Sequence, residues 1–290
     1  MTTLHGIGLG FRIDMAADFL AQLPSDVKFV EVHPENYAKR GGLYRRNLHE
    51  VRDRSPLLTH GLTMCFGHTD PFDREFLAEL KSFLREVDAP WHSDHLCFGG
   101  ADGAFVHDLL PLPFHEEAVQ TVSDRIRQAQ DALDVEIAFE NVSYYAPQGE
   151  DGLDEARFCV EVLERTGAKI MLDVNNVFVN SRNFGFDPRS WIDMIPPERV
   201  VQMHVAGHLV RPDGLRIDTH GESVCDEVYD LLEYTLRRTG PKPVLLERDN
   251  NVPPLQELID EVQRLSVVYA RATSTAHTAV PSVADRSAGS

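Results

Sequence analysis

Short runs rich in Val, Ile, Leu and Phe recur along the chain at residues 6–9, 29–32, 57–61, 91–96, 136–139, 169–173, 200–204 and 244–247. Within them apolar residues follow one another more often than they alternate with polar ones, which is the pattern of strands buried on both faces in a parallel sheet. The intervening stretches change to helical periodicity. In residues 114–133, Val119, Val122, Ile126, Ala129 and Leu133 share one face. Further on, Ser223 and Asp226 resemble a capping box, Val228, Leu231, Leu232 and Leu236 follow at helical spacing, and Gly240-Pro241 stops the helix after Arg237 and Arg238. Eight alternations of strand and helix predict an α/β fold, a closed TIM (β/α)8 barrel, in preference to an open doubly wound sheet. No Gly-x-Gly-x-x-Gly follows a strand and opens a helix, so the dinucleotide-binding fingerprint is missing. The expected organisation is one barrel domain over residues 1–272 and a disordered C-terminal tail of Ala, Ser and Thr over 273–290. The polar stretch 148–154 reads as a strand-to-helix loop or small lid.

The last positions of these runs are less ordinary. Strands three to eight end on His60, His95, Glu140, Asp173, His204 and Glu247, with Asp94 beside His95. A parallel barrel collects its chemistry at the C-terminal ends of its strands. Acidic groups at buried strand ends are costly unless they are paired, hydrogen bonded or bound to a cation. Any one of these histidines, taken alone, reads as a satisfied core residue; six such ends in succession point to a metal site. Asp218 and His220, in RIDTHGES, form an Asp-x-His pair able to reach the same mouth. Four imidazoles and four carboxylates exceed the needs of one ion, so two or three clustered ions are expected, with Glu140 or Glu247 bridging. Mixed nitrogen and oxygen donors suit iron, manganese or zinc.

Composition narrows the picture. With 290 residues and 42% apolar content, the chain can form a barrel of about 250 residues. A formal charge of −18 opposes broad attraction to nucleic acid or anionic lipid. No apolar stretch approaches the roughly 20 residues of a membrane span, and the start lacks a basic segment followed by an apolar one, so a cytoplasmic protein is expected. Cys65, Cys97, Cys159 and Cys225 are dispersed without a Cys-x-x-Cys pair, as reduced thiols would be.

The segments GLGFR (8–12), VEVHPENY (30–37), HGL (60–62), SDHL (93–96), HDLLPLP (107–113), ENVSYY (140–145), LDVNNVFVN (172–180), MHVAGH (203–208) and IDTHGESV (217–224) closely resemble the multinuclear non-haem iron-dependent oxidative enzymes, the family typified by the methanobactin biosynthesis oxidase. The similarity runs in matching order from about residue 6 to 265. It implies a barrel of the xylose isomerase type holding two or three iron ions in mixed Fe2+/Fe3+ states, with dioxygen as co-substrate. The implied substrate is a ribosomally made precursor peptide, modified most readily at Cys and presented by a separate recognition protein. The family's metal positions fall on His60, His95, Glu140, Asp173, Asn176, His204, Asp218, His220 and Glu247; of these, Glu140, Asp173 and His204 are expected to carry catalysis.

His208, Asn175 and Arg248 are expected near the substrate. Arg248 stands where many relatives carry an aromatic residue. His33, Glu35, Asn36 and Asp94 are candidates for orienting the ligands. Cys65 and Cys97 are expected to be buried as small apolar residues, and Tyr144 and Tyr145 to pack the barrel rim. The alternative function is a zinc- or manganese-dependent hydrolase or a sugar isomerase on the same barrel; a metal-binding scaffold without catalysis is a third class.

Overall fold

The eight apolar runs form eight parallel strands: β1 (Gly6–Gly10), β2 (Val30–Val32), β3 (Leu57–His60), β4 (Trp91–His95), β5 (Glu136–Glu140), β6 (Lys169–Asp173), β7 (Val200–Val205) and β8 (Pro243–Leu246). Each pairs with its neighbour in sequence, and β8 pairs with β1 to close the barrel. The structure is a computed structural model and describes residues 4–22, 24–146 and 152–274. The outer layer comprises α1 (Ala16–Gln22), α2 (Leu43–Arg52), α3 (Arg74–Glu86), α4 (Glu116–Leu133), α5 (Glu155–Thr166), α6 (Val174–Phe184), α7 (Pro188–Met194), α8 (Asp226–Thr239) and α9 (Leu255–Ser274). Among the described residues, no helix is long and apolar enough to cross a membrane.

Strand pleat decides what fills the interior, because successive side chains point to opposite faces. Phe29, Leu58, Trp91 and Leu245 form a separate apolar cluster in the lower barrel. Two residues on from three of them stand Glu31, His60 and Glu247, on the same inward face. The C-terminal mouth is therefore polar, while the bottom is plugged by aliphatic and aromatic groups. Gly8 leaves room for that plug: a Cβ there would stand 2.3 Å from the Phe29 ring.

The helices bury the faces that periodicity predicts. Val119, Val122, Ile126, Ala129 and Leu133 of α4 are fully buried, each apolar side chain larger than Ala contributing about 1.5–3 kcal/mol. The start of α4 is later than residue 114. His115 adopts an extended conformation and its Nδ1 accepts from the Ala118 amide, capping the helix, while the Phe114 ring packs against Tyr144 and Phe158. The Ser223 capping box does not form. α8 begins after Cys225 with no side-chain cap, and the Val224 amide donates instead to Glu261 of α9. α9 continues through Ser274, so Thr273 and Ser274 belong to the helix; the rest of the expected tail lies outside the described residues. So do 148–151 of the expected loop, and Asp154 at its end caps α5. Two hairpins extend the loops after β4 and β7, pairing Phe98–Ala101 with Ala104–Leu110 and Leu209–Val210 with Arg216–Ile217.

Candidate metal centre

His60, His95 and Glu140, ending β3, β4 and β5, converge closely. His60 Nε2 lies 3.2 Å from His95 Nε2 and 3.1 Å from Glu140 Oε2, and His95 Nε2 lies 3.3 Å from that same oxygen. Such separations are those of donors held about 2.1 Å from a shared ion. The network orients His60. Ser93 Oγ donates to the Thr59 carbonyl and accepts from His60 Nδ1 at 2.9 Å, which leaves the Nε2 lone pair facing the site. Gly61 permits the tight packing behind it, since a Cβ would stand 2.3 Å from Asp94 Oδ2.

A second group joins Glu140 to Asp173, His204 and Glu247, whose ligand atoms all lie within 4.8 Å of one another. Asp173 caps α6 by accepting the Asn176 amide through Oδ1 at 2.6 Å, and its Oδ2 has no hydrogen-bond partner. Asn176 donates through Nδ2 to the Asn141 carbonyl, leaving its buried Oδ1 unpartnered in turn. Asn141 bridges β5 to β6 through the Asp173 backbone. His33, Glu247 and Asp249 form a third group sharing Glu247 with the second. From the loop after β7, His220 Nε2 reaches Asp218 Oδ1 at 2.8 Å, and His220 Nδ1 lies 3.0 Å from Asp249 and 3.5 Å from Glu247. The nine positions proposed as ligands thus surround one mouth.

The proton distribution reflects crowding of like charges. Burial, then the neighbouring Glu140 and Asp218, push Asp173 well above the carboxylate range. Burial alone would lower His204, but Glu31 and Glu247 on either side hold it well above the imidazole range. The same opposition, with Asp94 and Glu140 outweighing burial, raises His95 to about 9. Burial disfavours the charged form of Glu31, yet His204 holds it at about 2. A multivalent cation would relieve this crowding, and Asp173 Oδ2 and Asn176 Oδ1, without hydrogen-bond partners, are donors of the type such a cation requires.

Three positioning groups escaped the sequence reading, namely Arg12, Glu31 and Gln202. Glu31 is fully buried on β2 and accepts from Gln202 Nε2 at 2.6 Å while facing His204 Nε2 at 3.1 Å. Gln202 is fixed in turn by Trp91 Nε1. Arg12, immediately after β1, donates to Asp249 and lies 3.4 Å from Glu247. A charged residue inside the apolar strand VEV and a guanidinium directly after GLGF were the available signals.

The remaining expectations divide. Asn175 Nδ2 donates to Asp218 at 2.8 Å, and its Oδ1 meets His208 Nδ1 at 2.8 Å, so both flank the ligand loop. Arg248 does not join them. The pleat that turns Glu247 inward turns Arg248 outward, where it donates to the Gly221 carbonyl and pairs with Glu261 of α9. Asp94 points away from the barrel axis and accepts the amides of Met64, Cys65 and His95, bracing the loop after β3, while its Oδ1 lies 3.6 Å from His95 Nδ1 on the side of the ring away from Glu140. His33 Nδ1 donates to the His60 carbonyl, and Glu35 accepts from Leu62 and Thr63; Asn36 ends a short turn of 3-10 helix, half-buried. Cys65 and Cys97 are buried together with Val142. Tyr144 packs against Phe184 as expected, but Tyr145 is 45% exposed and its hydroxyl accepts the Asp218 amide, so it braces the ligand loop instead of the rim.

Residues 6–270 match the family described as RiPP precursor modification enzyme MbnB/TglH/ChrH, RiPP denoting ribosomally synthesised and post-translationally modified peptides. A UPF0276 protein of Pseudomonas aeruginosa is 41% identical over 269 residues, covering 92% of this chain and 94% of the relative. One from Shewanella loihica is 36% identical and covers 96% and 99%. Among solved structures, D-psicose 3-epimerase superposes with TM-score 0.58 at 11% identity, covering 93% of this chain and 99% of that one. A xylose isomerase domain protein from Planctomyces limnophilus gives 0.58 at 14%, covering 94% and 99%. At such identities these likenesses show the fold alone, a TIM barrel of the xylose isomerase type.

Proposed function

Because this chain belongs to the RiPP precursor modification enzymes of the MbnB/TglH/ChrH family, we propose that it is a multinuclear iron-dependent, dioxygen-using oxidase that modifies a residue, Cys first among candidates, of a ribosomally synthesised precursor peptide. The observation that carries the metal reading is the convergence of two donor groups on Glu140, with the buried Asp173 Oδ2 and Asn176 Oδ1 unpartnered beside them. His60, His95, Glu140, Asp173, Asn176, His204, Asp218, His220 and Glu247 would hold two or three ions. Iron bound there would supply the one-electron chemistry and the activation of dioxygen.

The chain's own residues prepare that chemistry. Glu31 and Gln202 fix the His204 ring from below, and Ser93 fixes His60, so the donors need little reorganisation. Arg12 offsets part of the charge of Glu247 and Asp249 at the mouth. Asn175, fully buried, commits its amide to Asp218 and His208 and so orients His208, which can hydrogen bond an incoming peptide. Burial lowers the His208 imidazole from its ordinary range, which favours the neutral ring. A separate peptide-recognition protein and a cytoplasmic setting complete the reading.

Manganese or zinc could use the same donors in a hydrolase or sugar isomerase. Metal analysis of protein expressed with abundant iron, with electron paramagnetic resonance before and after ascorbate and a Cys-containing peptide, separates the two. Two or three irons per chain and a signal altered by peptide support the oxidase. Stoichiometric zinc that iron does not displace, with no response to peptide, supports the hydrolase or isomerase.

A further inference from the structure

Phe178, buried on α6, gathers three basic side chains around its ring. Arg182, one helical turn further along α6, holds its guanidinium carbon 4.9 Å from the ring centroid. Arg216, on the hairpin after β7, stands 5.7 Å away, and the His208 ring 5.4 Å. At such separations a guanidinium is attracted to the face of an aromatic ring. The backbone of Arg216 is also fixed, because Asn183 of α6 accepts its amide at 3.0 Å and donates to its carbonyl at 2.9 Å.

The two guanidiniums lack an anion. The chain has a formal charge of −18, and its carboxylates pair with Arg12, Arg248 and, at the tip of the same hairpin, Arg211. Among the described residues neither Arg182 nor Arg216 has an ion-pair partner or a side-chain hydrogen bond, and Arg216 Nε is buried without an acceptor. Asp218 and Glu227 both bear on the neighbouring His208, yet neither pairs with the guanidiniums, and Asp218 Oδ1 already serves Asn175 and His220.

This cluster adjoins the candidate metal centre. His208 Nδ1 meets Asn175 Oδ1 at 2.8 Å, and Asn175 donates to Asp218 at 2.8 Å. Arg216 precedes Asp218 by two residues and is close enough to His208 to disfavour its charged form.

We propose that Arg216, with Arg182 beside it, anchors a carboxylate of the precursor peptide next to Asp218, so that the residue to be modified lies over the metal donors. The proposal rests on the peptide-modifying reading above and adds the chemistry that orients the peptide. A planar guanidinium matches a carboxylate through two parallel N–H···O bonds, which fixes direction as well as position. An acidic side chain and the peptide's C-terminus offer the same group.

The test is fluorescence anisotropy under anaerobic conditions on protein expressed with abundant iron. The probe is a labelled synthetic heptapeptide with Cys at its centre, Glu two places later and a free C-terminal carboxylate; its twins replace Glu by Gln, amidate the C-terminus, or do both. The parent should bind saturably, and the twin without carboxylates ~10-fold or more weakly. One of the single twins should share that loss, identifying side chain or terminus as the group held. Arg216→Gln with Arg182→Gln should weaken the parent to the level of the carboxylate-free twin and leave that twin unchanged, with metal content and thermal midpoint as in the wild type. Arg211→Gln, which removes a charge already paired on the same hairpin, should change nothing. No saturable binding, equal affinity for the carboxylate-free twin, unchanged affinity in the double variant, or an equal loss in Arg211→Gln would overturn the proposal. Iron in the protein with binding indifferent to carboxylates removes the anchor and leaves the oxidase; carboxylate-dependent binding, lost in the double variant, by a protein that holds only zinc does the reverse.

Discussion

Glu31 and His204 meet inside the barrel with Oε2 and Nε2 3.1 Å apart, although 173 residues separate them in the chain. The opposite nitrogen of the imidazole, Nδ1, faces Glu247 Oε2 at 3.0 Å. A carboxylate behind a histidine fixes the tautomer and makes the forward nitrogen a better donor. Glu31→Gln should therefore lower metal affinity by about 10- to 100-fold with the fold retained. Competition against a chelator of known affinity measures this, and an unchanged constant would show that Glu31 serves packing alone.

Glu140, Asp173, Asp218 and Glu247 crowd one mouth, and burial with the neighbouring Glu140 and Asp218 holds Asp173 well above its ordinary range. Binding of divalent metal should relieve this repulsion and stabilise the fold, by about 2.7 kcal/mol at 100 times the dissociation constant. For a chain of this size that corresponds to a rise of several degrees in thermal midpoint. Asp173→Asn should stabilise the metal-free protein and remove most of the gain. A midpoint indifferent to iron, manganese and zinc would contradict the metal reading.

Glu155 carries a pH dependence remote from the candidate metal ligands. Burial pushes its carboxyl up to about 8, although it accepts from Trp191 Nε1 and Asn180 Nδ2. Below the ordinary value of 4.5 both folded and unfolded chains are protonated, and the contribution to stability is complete. As pH rises toward 8 only the unfolded chain loses the proton, so stability falls, by at most on the order of 4–5 kcal/mol. Glu155→Gln keeps an acceptor oxygen without the charge. It should match the wild type near pH 4 and exceed it at pH 8 in denaturant unfolding; parallel pH profiles would refute the assignment.

Thiol reactivity should divide the cysteines. Cys65, Cys97 and Cys159 are buried, whereas Cys225 is half-buried at the start of α8. Burial also raises the Cys225 thiol, so its alkylation in the native protein should be slow, with the other three reacting only after unfolding. Mass spectrometry of peptides after timed alkylation resolves the order. Early labelling of Cys65 would place it in an accessible part of the mouth.

Much of the fold was legible in local sequence. Eight continuous apolar runs, helical periodicity between them and a polar residue at six strand ends are patterns within a few neighbours of each position. Pleat and helix pitch then determine which side chains share a face, as Val119 to Leu133 of α4 illustrate. Local pattern also pointed to the wrong cap at Ser223, because the Val224 amide found Glu261 on a helix packed against it.

What the chain alone determined is the alternation that builds a barrel and the set of donors at its strand ends. Only the tertiary structure decided which groups meet. Closing β8 onto β1 brings Arg12 to Glu247 and Asp249, and puts Glu31 opposite His204; the outward turn after β8 sends Arg248 to Glu261. Those contacts depend on the register and curvature of the whole sheet. Register is set by the summed packing of eight strands, and no short window of sequence contains that sum.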